Sequence, residues 1–405
     1  MLIFSIPFSK LAKKENIFAW EQRKLKDLVS PVVREVPKPN IPYNRLSVRS
    51  HAKGTFHQKV EDPKTVAMDK LYVVKKNDLI VNITFAWEHA IAVAKKDDDG
   101  LLVSHRFPTF LIDKSDVNFI HYVVSQESFR RKMDLISPGG AGRNRVLNKK
   151  DFINLTIVVP KTIEEQERIG NFLKKLDNTL ALLQDKLIQY QKLKKAFLQF
   201  MFPQNWESVP QVRFAKFSTR WEQRKLGDNV EFYSGLTYSP DNIKENGTLV
   251  LRSSNVKNGE IIDADNVYVD TKAVNSQNVE IGDVIVVVRN GSRNLIGKHA
   301  FVKKKMDNTV IGAFMTGIRS KVPSFTNALL NSNQFAIEIN KNLGATINQI
   351  TTREFKKMRF YFPSIDEQKK IGDFFNQLDD TLAFHQNKLK QFQLLKKVLL
   401  QKMFV

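Results

Sequence analysis

The hexapeptide WEQRKL runs from Trp20 to Leu25 and returns unchanged from Trp221 to Leu226. A longer stretch also returns. Ile163 to Phe202 aligns without a gap to Ile365 to Phe404, with about 23 of 40 positions identical. Chance does not supply identity of that length. The chain therefore carries two copies of one unit, and an internal two-fold pseudosymmetry is expected.

The long repeat is helical by its period. Apolar residues fall at Ile169, Leu173, Leu176, Leu180, Leu183, Leu187, Tyr190, Phe197 and Met201, in alternating steps of four and three, broken by Lys194. The second copy gives Ile371, Phe375, Leu378, Leu382, Leu389, Phe392, Leu399 and Met403, broken by His385 and Lys396. A sustained repeat of about 3.5 residues is a coiled-coil seam, and the expected partner of each helix is the other copy. A pseudo-two-fold axis crossing the rod makes that pairing antiparallel. Forty residues at about 1.5 Å each span roughly 60 Å. Lys194 and Lys396 hold equivalent seam positions and are expected to fix the register of pairing. The alternative is two surface helices, each packed on its own domain. Pro203 and Pro210 end the first helix.

Ahead of each helix lies a region, 21–160 and 222–363, rich in Val, Ile, Phe and Thr with turn signals at short intervals. Val284 to Val288 (VIVVV) sits between Gly282-Asp283 and Asn290-Gly291, and Leu155 to Val159 stops at Pro160. These patterns predict mixed α/β (α+β) domains dominated by short strands. A fainter repeat runs through them. Asn77 to Val81 matches Gly282 to Val286, His89-Ala90 resembles His299-Ala300, and Phe152 to Pro160 parallels Phe355 to Pro363. The two domains are thus expected to share a fold while their loops have diverged, as one scaffold reading two targets would.

Charge points to the class of target. Lys and Arg number 64 against 42 Asp and Glu, a net charge of +22, and the isoelectric point is near 9.8. Such an excess favours a polyanion, nucleic acid first and an anionic membrane surface second. No apolar run approaches a membrane span. MLIFSIPF at the start is short and broken by Pro7, so it reads as an N-terminal segment (1–20) rather than a signal peptide. The absence of cysteine excludes disulfides and thiolate metal sites and fits a reducing cytoplasm.

Catalytic motifs are missing. An adenine methyltransferase needs a glycine-rich cofactor turn and an Asn/Asp-Pro-Pro-aromatic tetrapeptide, and neither occurs. Gly139-Gly140-Ala141-Gly142 follows no strand-to-helix pattern, and Gly291 to His299 (GSRNLIGKH) departs from a phosphate-binding loop in spacing and in its final residue. The seven histidines are scattered, which disfavours zinc. Glu354-Phe355-Lys356 has a nuclease-like spacing, but the equivalent Asp151-Phe152-Ile153 lacks the lysine. A metal site is therefore not expected.

Basic, glycine-bearing segments are the candidates for contact with DNA. Arginine can bond guanine bidentately and Asn or Gln adenine, while glycine allows close approach to phosphates. In the first domain these are Arg45, Arg49 and Lys53, then Arg143, Asn144 and Arg145 in the loop from Ser137. In the second they are Arg252, Ser254 and Asn255; Arg289, Asn290, Ser292, Arg293, Asn294 and Lys298; and Thr346, Asn348, Gln349 and Arg353. Each taken singly also reads as a solvated loop residue of a basic protein.

Assembled, the chain resembles the specificity (S) subunit of type I restriction-modification systems. The residues that carry the likeness are Pro160, Glu165-Gln166, Ile169 and Leu176-Asp177, with Pro363, Glu367-Gln368, Ile371 and Leu378-Asp379. The two WEQRKL connectors and Gly344-Ala345-Thr346 with Gln349-Ile350 add to it. The resemblance implies target recognition domains at 21–160 and 222–363, conserved spacer helices at 161–203 and 364–405, and a connector at 204–221. It implies double-stranded DNA, two modification (methyltransferase) subunits and restriction/translocase subunits as partners. S-adenosylmethionine, and ATP with Mg for restriction, are then cofactors of the complex and none is bound by this chain. One departure is that the residues before Trp20 do not match Val212 to Arg220. Rival readings are an inactive or shuffled allele, a DNA-binding coiled-coil adaptor, and an autonomous nucleic-acid enzyme.

Overall fold

The repeated connector forms the strand that closes each domain. Trp20–Lys24 pairs antiparallel with Thr156–Pro160, Gln22 opposite Val158, and Glu222–Lys225 pairs with Arg359–Phe362, Arg224 opposite Phe360. The leucine that follows each, Leu25 or Leu226, is fully buried. The first residues of each domain are thereby tied to its last. These relations come from a computed structural model that describes residues 20–137, 145–204, 207–343 and 348–404. The chain divides into two units, residues 1–182 with 389–405 and residues 183–388.

Each unit is built around a four-stranded antiparallel sheet. The order in the first is Ser30–Val32, Thr109–Leu111, Asp78–Val81, Ile91–Val93; in the second it is Val230–Ser234, Met315–Ser320, Val284–Val287, His299–Phe301. Asp78–Val81 and Val284–Val287 are buried on both faces, which is why they read as unbroken apolar runs rather than alternating ones. The turn before them explains the matching Asn77-Asp78 and Gly282-Asp283. Asn77 and Gly282 have φ of +72° and +96°, a conformation Asn and Gly adopt most readily. Asp78 and Asp283 are buried carboxylates, each held by an arginine fork: Arg34 at 2.5 and 3.1 Å, Arg319 at 2.9 and 2.9 Å.

Helical pairs cover these sheets, Val117–Val124 with Glu127–Leu135 and Pro323–Leu330 with Asn333–Asn342. The expected mixed α+β class holds. The second sheets differ. The first unit has five strands in the order Glu35–Pro37, Lys70–Val73, Leu102–Val103, Tyr43–Val48, Thr55–Val60. The second has Ile243–Lys244, Val267–Val269, Thr248–Leu251 and Thr309–Ile311, plus a small ladder of Val256–Lys257 with Glu260–Ile261.

The long repeat forms two helices, Ile163–Phe200 and Ile365–Met403. Each contributes its first part to one unit and its last part to the other. In the second unit Tyr190 stacks on His385, Lys194 pairs with Asp379, and Phe197 meets Phe374 edge-on. Partner numbers fall as these rise, so the pairing is antiparallel. In the first unit Lys396 pairs with Asp177, the equivalent residues. Of the seam residues, Leu173, Leu176, Leu183, Leu187, Phe375, Leu378 and Leu389 are buried. Leu180, Tyr190, Phe197, Leu382, Phe392 and Leu399 are half-buried.

The Glu-Gln motif anchors each helix to its domain. Gln166 is fully buried; its Oε1 accepts from Ser115 Oγ at 2.5 Å and from the Asp116 amide at 3.2 Å, while Nε2 donates to the Pro160 carbonyl. Gln368 Nε2 donates to the Pro363 carbonyl at 2.9 Å. At the far end of each helix an aromatic triad completes the core. Phe404 packs with Trp20 and Phe119, as Phe202 packs with Trp221 and Phe325.

Candidate nucleic-acid interface

In the second unit, the chain leaving Val284–Val287 meets two other segments. Val288 and Arg289 donate their amides to the Phe314 carbonyl, Ile350 donates to the Val288 carbonyl at 2.9 Å, and Arg289 pairs with Gln349 in a single β-bridge. Side chains extend the junction. Asn290 Nδ2 donates to Ser253 Oγ at 3.0 Å, its Oδ1 accepts from the Ser292 amide, and Asn348 Nδ2 donates to the Gly291 carbonyl at 2.9 Å. The Arg289 guanidinium lies 5.0 Å from the centre of the Phe314 ring, which is 54% exposed. Segments 252–255, 289–292 and 348–349 therefore come together as one basic, amide-rich surface.

The remaining candidates differ in what they offer. Ser292, Arg293 and Asn294 are exposed on the loop, Arg293 reaching the Leu343 carbonyl, and Lys298 is half-buried. Arg353 is exposed on the helix Thr352–Lys357. Arg252 is engaged by Asp265 at 2.6 Å, and the Ser254 hydroxyl is buried. Asn255 departs from the expectation of a reading residue. It is fully buried; its Oδ1 accepts from the Arg252 amide, and its Nδ2 donates to the Ala264 carbonyl and to Asn266. Its amide stabilises the loop from inside and has nothing left to present. Thr346 lies outside the described residues, as do Arg143 and Asn144.

In the first unit the same junction is made by Ile83, whose amide donates to the Arg106 carbonyl and whose carbonyl accepts from Leu147 at 2.9 Å. Arg145 thus occupies the place of Asn348. Its guanidinium pairs with Asp134, donates through Nε to the Ser137 carbonyl at 3.0 Å, and lies over Trp87. It fastens its own loop. The counterpart of the Arg289 loop is Thr84 to Glu88, with Phe85 46% exposed. Sequence reading passed over this loop, although the His89-Ala90 and His299-Ala300 match marks its end. Those histidines are structural: His89 Nε2 donates to the Val124 carbonyl at 2.6 Å and His299 Nδ1 to the Gly297 carbonyl at 3.0 Å. Burial pushes both below the usual imidazole range, so both are neutral.

Arg45 was expected on a loop and lies on the strand Tyr43–Val48, exposed, with Nε donating to Gln58 Oε1 at 2.8 Å. Arg49 lies over the Phe56 ring at 5.3 Å, and Lys53 is exposed in the turn to Thr55–Val60. No group of metal-ligating side chains occurs among the described residues. Nor is any described helix long and apolar enough to cross a membrane.

Two domains of one fold, each closed by the same ladder and followed by the same long helix, point to a family. The model of the type I restriction modification DNA specificity domain matches residues 19–191 and again 219–393. The chain belongs to that family. The type I restriction enzyme MjaVIII specificity subunit of Methanocaldococcus jannaschii is 23% identical over 346 residues, covering 81% of this chain and 78% of its own. The EcoKI specificity subunit of Escherichia coli K12 is 25% identical over 177 residues, 42% of this chain and 37% of its own length. The crystal structure of the type I restriction-modification S subunit from M. genitalium shares the fold, with a TM-score of 0.60 at 16% identity over 97% of this chain and 98% of that one. This specificity subunit supplies DNA recognition through two domains within a type I restriction-modification system and is not itself catalytic.

Proposed function

We propose that each recognition domain of this specificity subunit reads one half of a bipartite, asymmetric DNA site. The paired helices hold the halves at a fixed spacing and dock two modification subunits. The observation that carries this reading is the contrast within the repeat. The closing ladder, the central sheet with its buried aspartate and the Gln clamp recur, whereas the arginine that holds the aspartate, the number and length of strands in the second sheets and the junction side chains differ. A shared frame with unlike reading surfaces suits two unlike half-sites. Half-sites read from one face of the duplex lie about 34 Å apart, a distance that helices of roughly 60 Å can govern. The modification subunits then supply S-adenosylmethionine chemistry, and restriction subunits use ATP with Mg, in the cytoplasm.

The test is methylome sequencing of a methylation-free host expressing this chain with its cognate modification subunit. A split, non-palindromic motif with methyladenine in both halves is the expected outcome. A palindrome would contradict two unlike readers. No new methylation, despite soluble protein and a competent partner, would mark an inactive allele or a different role. Salt-dependent binding of DNA by the purified complex separates those two.

A further inference from the structure

We propose that the first domain reads a guanine in its half-site with a two-stranded ribbon, Tyr43–Val48 and Thr55–Val60, through Arg45 and Gln58. The inference rests on the bipartite reading above and names the base-contacting residues of one half.

The ribbon has two unlike faces. Leu46 and Val48 are buried in the core with Val74, Ala90 and Ala92, and on the same side Thr55 and His57 bond Asp98. Alternation sends Arg45, Ser47 and Arg49 the other way. Register places Arg45 opposite Gln58 and Ser47 opposite Phe56 on that outer face. Thr55–Val60 is the sheet's edge strand, and Tyr43 to Val60 contains no carboxylate. On its other side Tyr43–Val48 is flanked by the short strand Leu102–Val103, with Arg45 opposite Leu102, so the ribbon is the outer edge of the five-stranded sheet; a pair of strands is one of the elements the major groove admits. The turn that joins these strands is pinned to the domain, with the His51 amide on the Glu88 carbonyl at 2.7 Å and the Ala52 amide on the His89 carbonyl at 2.8 Å. A pinned turn makes the ribbon a rigid platform rather than a mobile flap.

The hydrogen bond inside the ribbon selects the base. Arg45 Nε can only donate, so the Gln58 atom 2.8 Å away is its oxygen. That leaves both terminal nitrogens of Arg45 and the amide nitrogen of Gln58, three donor groups with no partner among the described residues. Gln58 has its oxygen held by Arg45, which disfavours the paired donor–acceptor contact that reads adenine. A cluster of donors fits the one base whose major-groove edge offers two acceptors, O6 and N7 of guanine. A shallow cavity of about 140 Å³ beside the pair, floored by Met68, Leu102 and Phe107, lowers the local polarity and strengthens such bonds. The corresponding pair in the second domain, Thr248–Leu251 with Val267–Val269, sets Leu249 opposite Tyr268 and Val250 opposite Val267 and carries no arginine, so the effect is confined to one half-site.

The experiment is to determine the methylated motif of the complex with wild-type chain, Arg45→Ala and Gln58→Ala. At one G·C position of one half, the variants are expected to lose about ten- to a hundredfold of the base preference. The other half and the spacing should stay as in wild type, which also certifies folding and assembly. A two-part wild-type motif unmoved by Arg45→Ala overturns the ribbon alone. So does a change at an A·T position, or a uniform loss on all sequences with a shallower salt dependence, which would mark a phosphate contact. A wild-type complex that methylates no two-part motif overturns the bipartite reading, and the ribbon with it.

Discussion

Arg213 closes on Glu367 through two charge-assisted bonds, Nε to Oε1 at 2.6 Å and Nη2 to Oε2 at 2.7 Å. Glu367 is 1% exposed and belongs to the Glu-Gln motif that opens the second long helix. Its counterpart in the first copy is Glu165, which makes no ion pair with an arginine among the described residues. Oε2 of Glu165 is buried without a hydrogen-bond partner among the described residues. Among the described residues one motif thus stands in two electrostatic settings.

Arg213→Ala should be among the more damaging single changes in the chain. It would strand a buried carboxylate, and breaking such a pair from one side costs about 3–5 kcal/mol. Urea unfolding of the purified chain measures it. A loss below about 1 kcal/mol would place the pair with weak surface bridges.

Glu165 predicts the opposite trend. Burial pushes its carboxyl above the ordinary 4.5, opposed by hydrogen bonding from Trp20 and by the charge of Arg168. The folded chain therefore holds this proton more tightly than the unfolded chain. The stability it contributes is complete below the ordinary pKa and is lost as pH rises through the raised one. Glu165→Gln, which keeps an acceptor for Trp20, should match wild type near pH 4 and exceed it toward about pH 8. A variant weaker than wild type at neutral pH would show that the charge is stabilised after all.

How much of this was legible follows from how local each signal is. The helices, their seam and the WEQRKL strands depend on period and repetition, which sequence displays directly. Asn77-Asp78 and Gly282-Asp283 were visible as a repeat, but their reason, a left-handed turn feeding a buried ion pair, is tertiary. The reading surfaces were less accessible. Arg45 alternates with Leu46, Ser47 and Val48, a strand pattern hidden by the attention its charge draws. Asn255 carries the right chemistry for DNA and uses it inside its loop. Phe314 and Phe85 gave no signal, since exposure of an aromatic ring is decided by what the rest of the chain covers.

Gly170 and Gly372 are equivalent, and both are needed for close approach. A Cβ at Gly170 would lie 2.4 Å from Asp116 Oδ1 and 2.6 Å from the Phe119 amide; at Gly372 it would lie 2.2 Å from Ser324 Oγ and 2.7 Å from the Phe325 amide. Alanine is the better helix former by about 1 kcal/mol. Overpacking against backbone costs about 1–3 kcal/mol, so the clash should prevail. Each Gly→Ala variant should melt below wild type. A higher melting temperature would mean that the short helices shift away without penalty.

The two seam lysines make unequal locks. Lys194 and Asp379 pair at 22% and 17% side-chain exposure, while Asp177 is shared between Lys396 and Tyr122, whose hydroxyl donates to it at 2.8 Å. The position equivalent to Tyr122 is Ala328, which offers no such bond. Lys194→Met therefore leaves Asp379 without its charge partner, whereas Lys396→Met leaves Asp177 with a phenol. A donated hydrogen bond to a charged group contributes about 1.5–3 kcal/mol, so the first variant should be less stable than the second by roughly that amount. Adding Tyr122→Phe to Lys396→Met should remove the difference. Equal melting of the two single variants would show that Tyr122 does not support Asp177, and that solvent screens both locks alike.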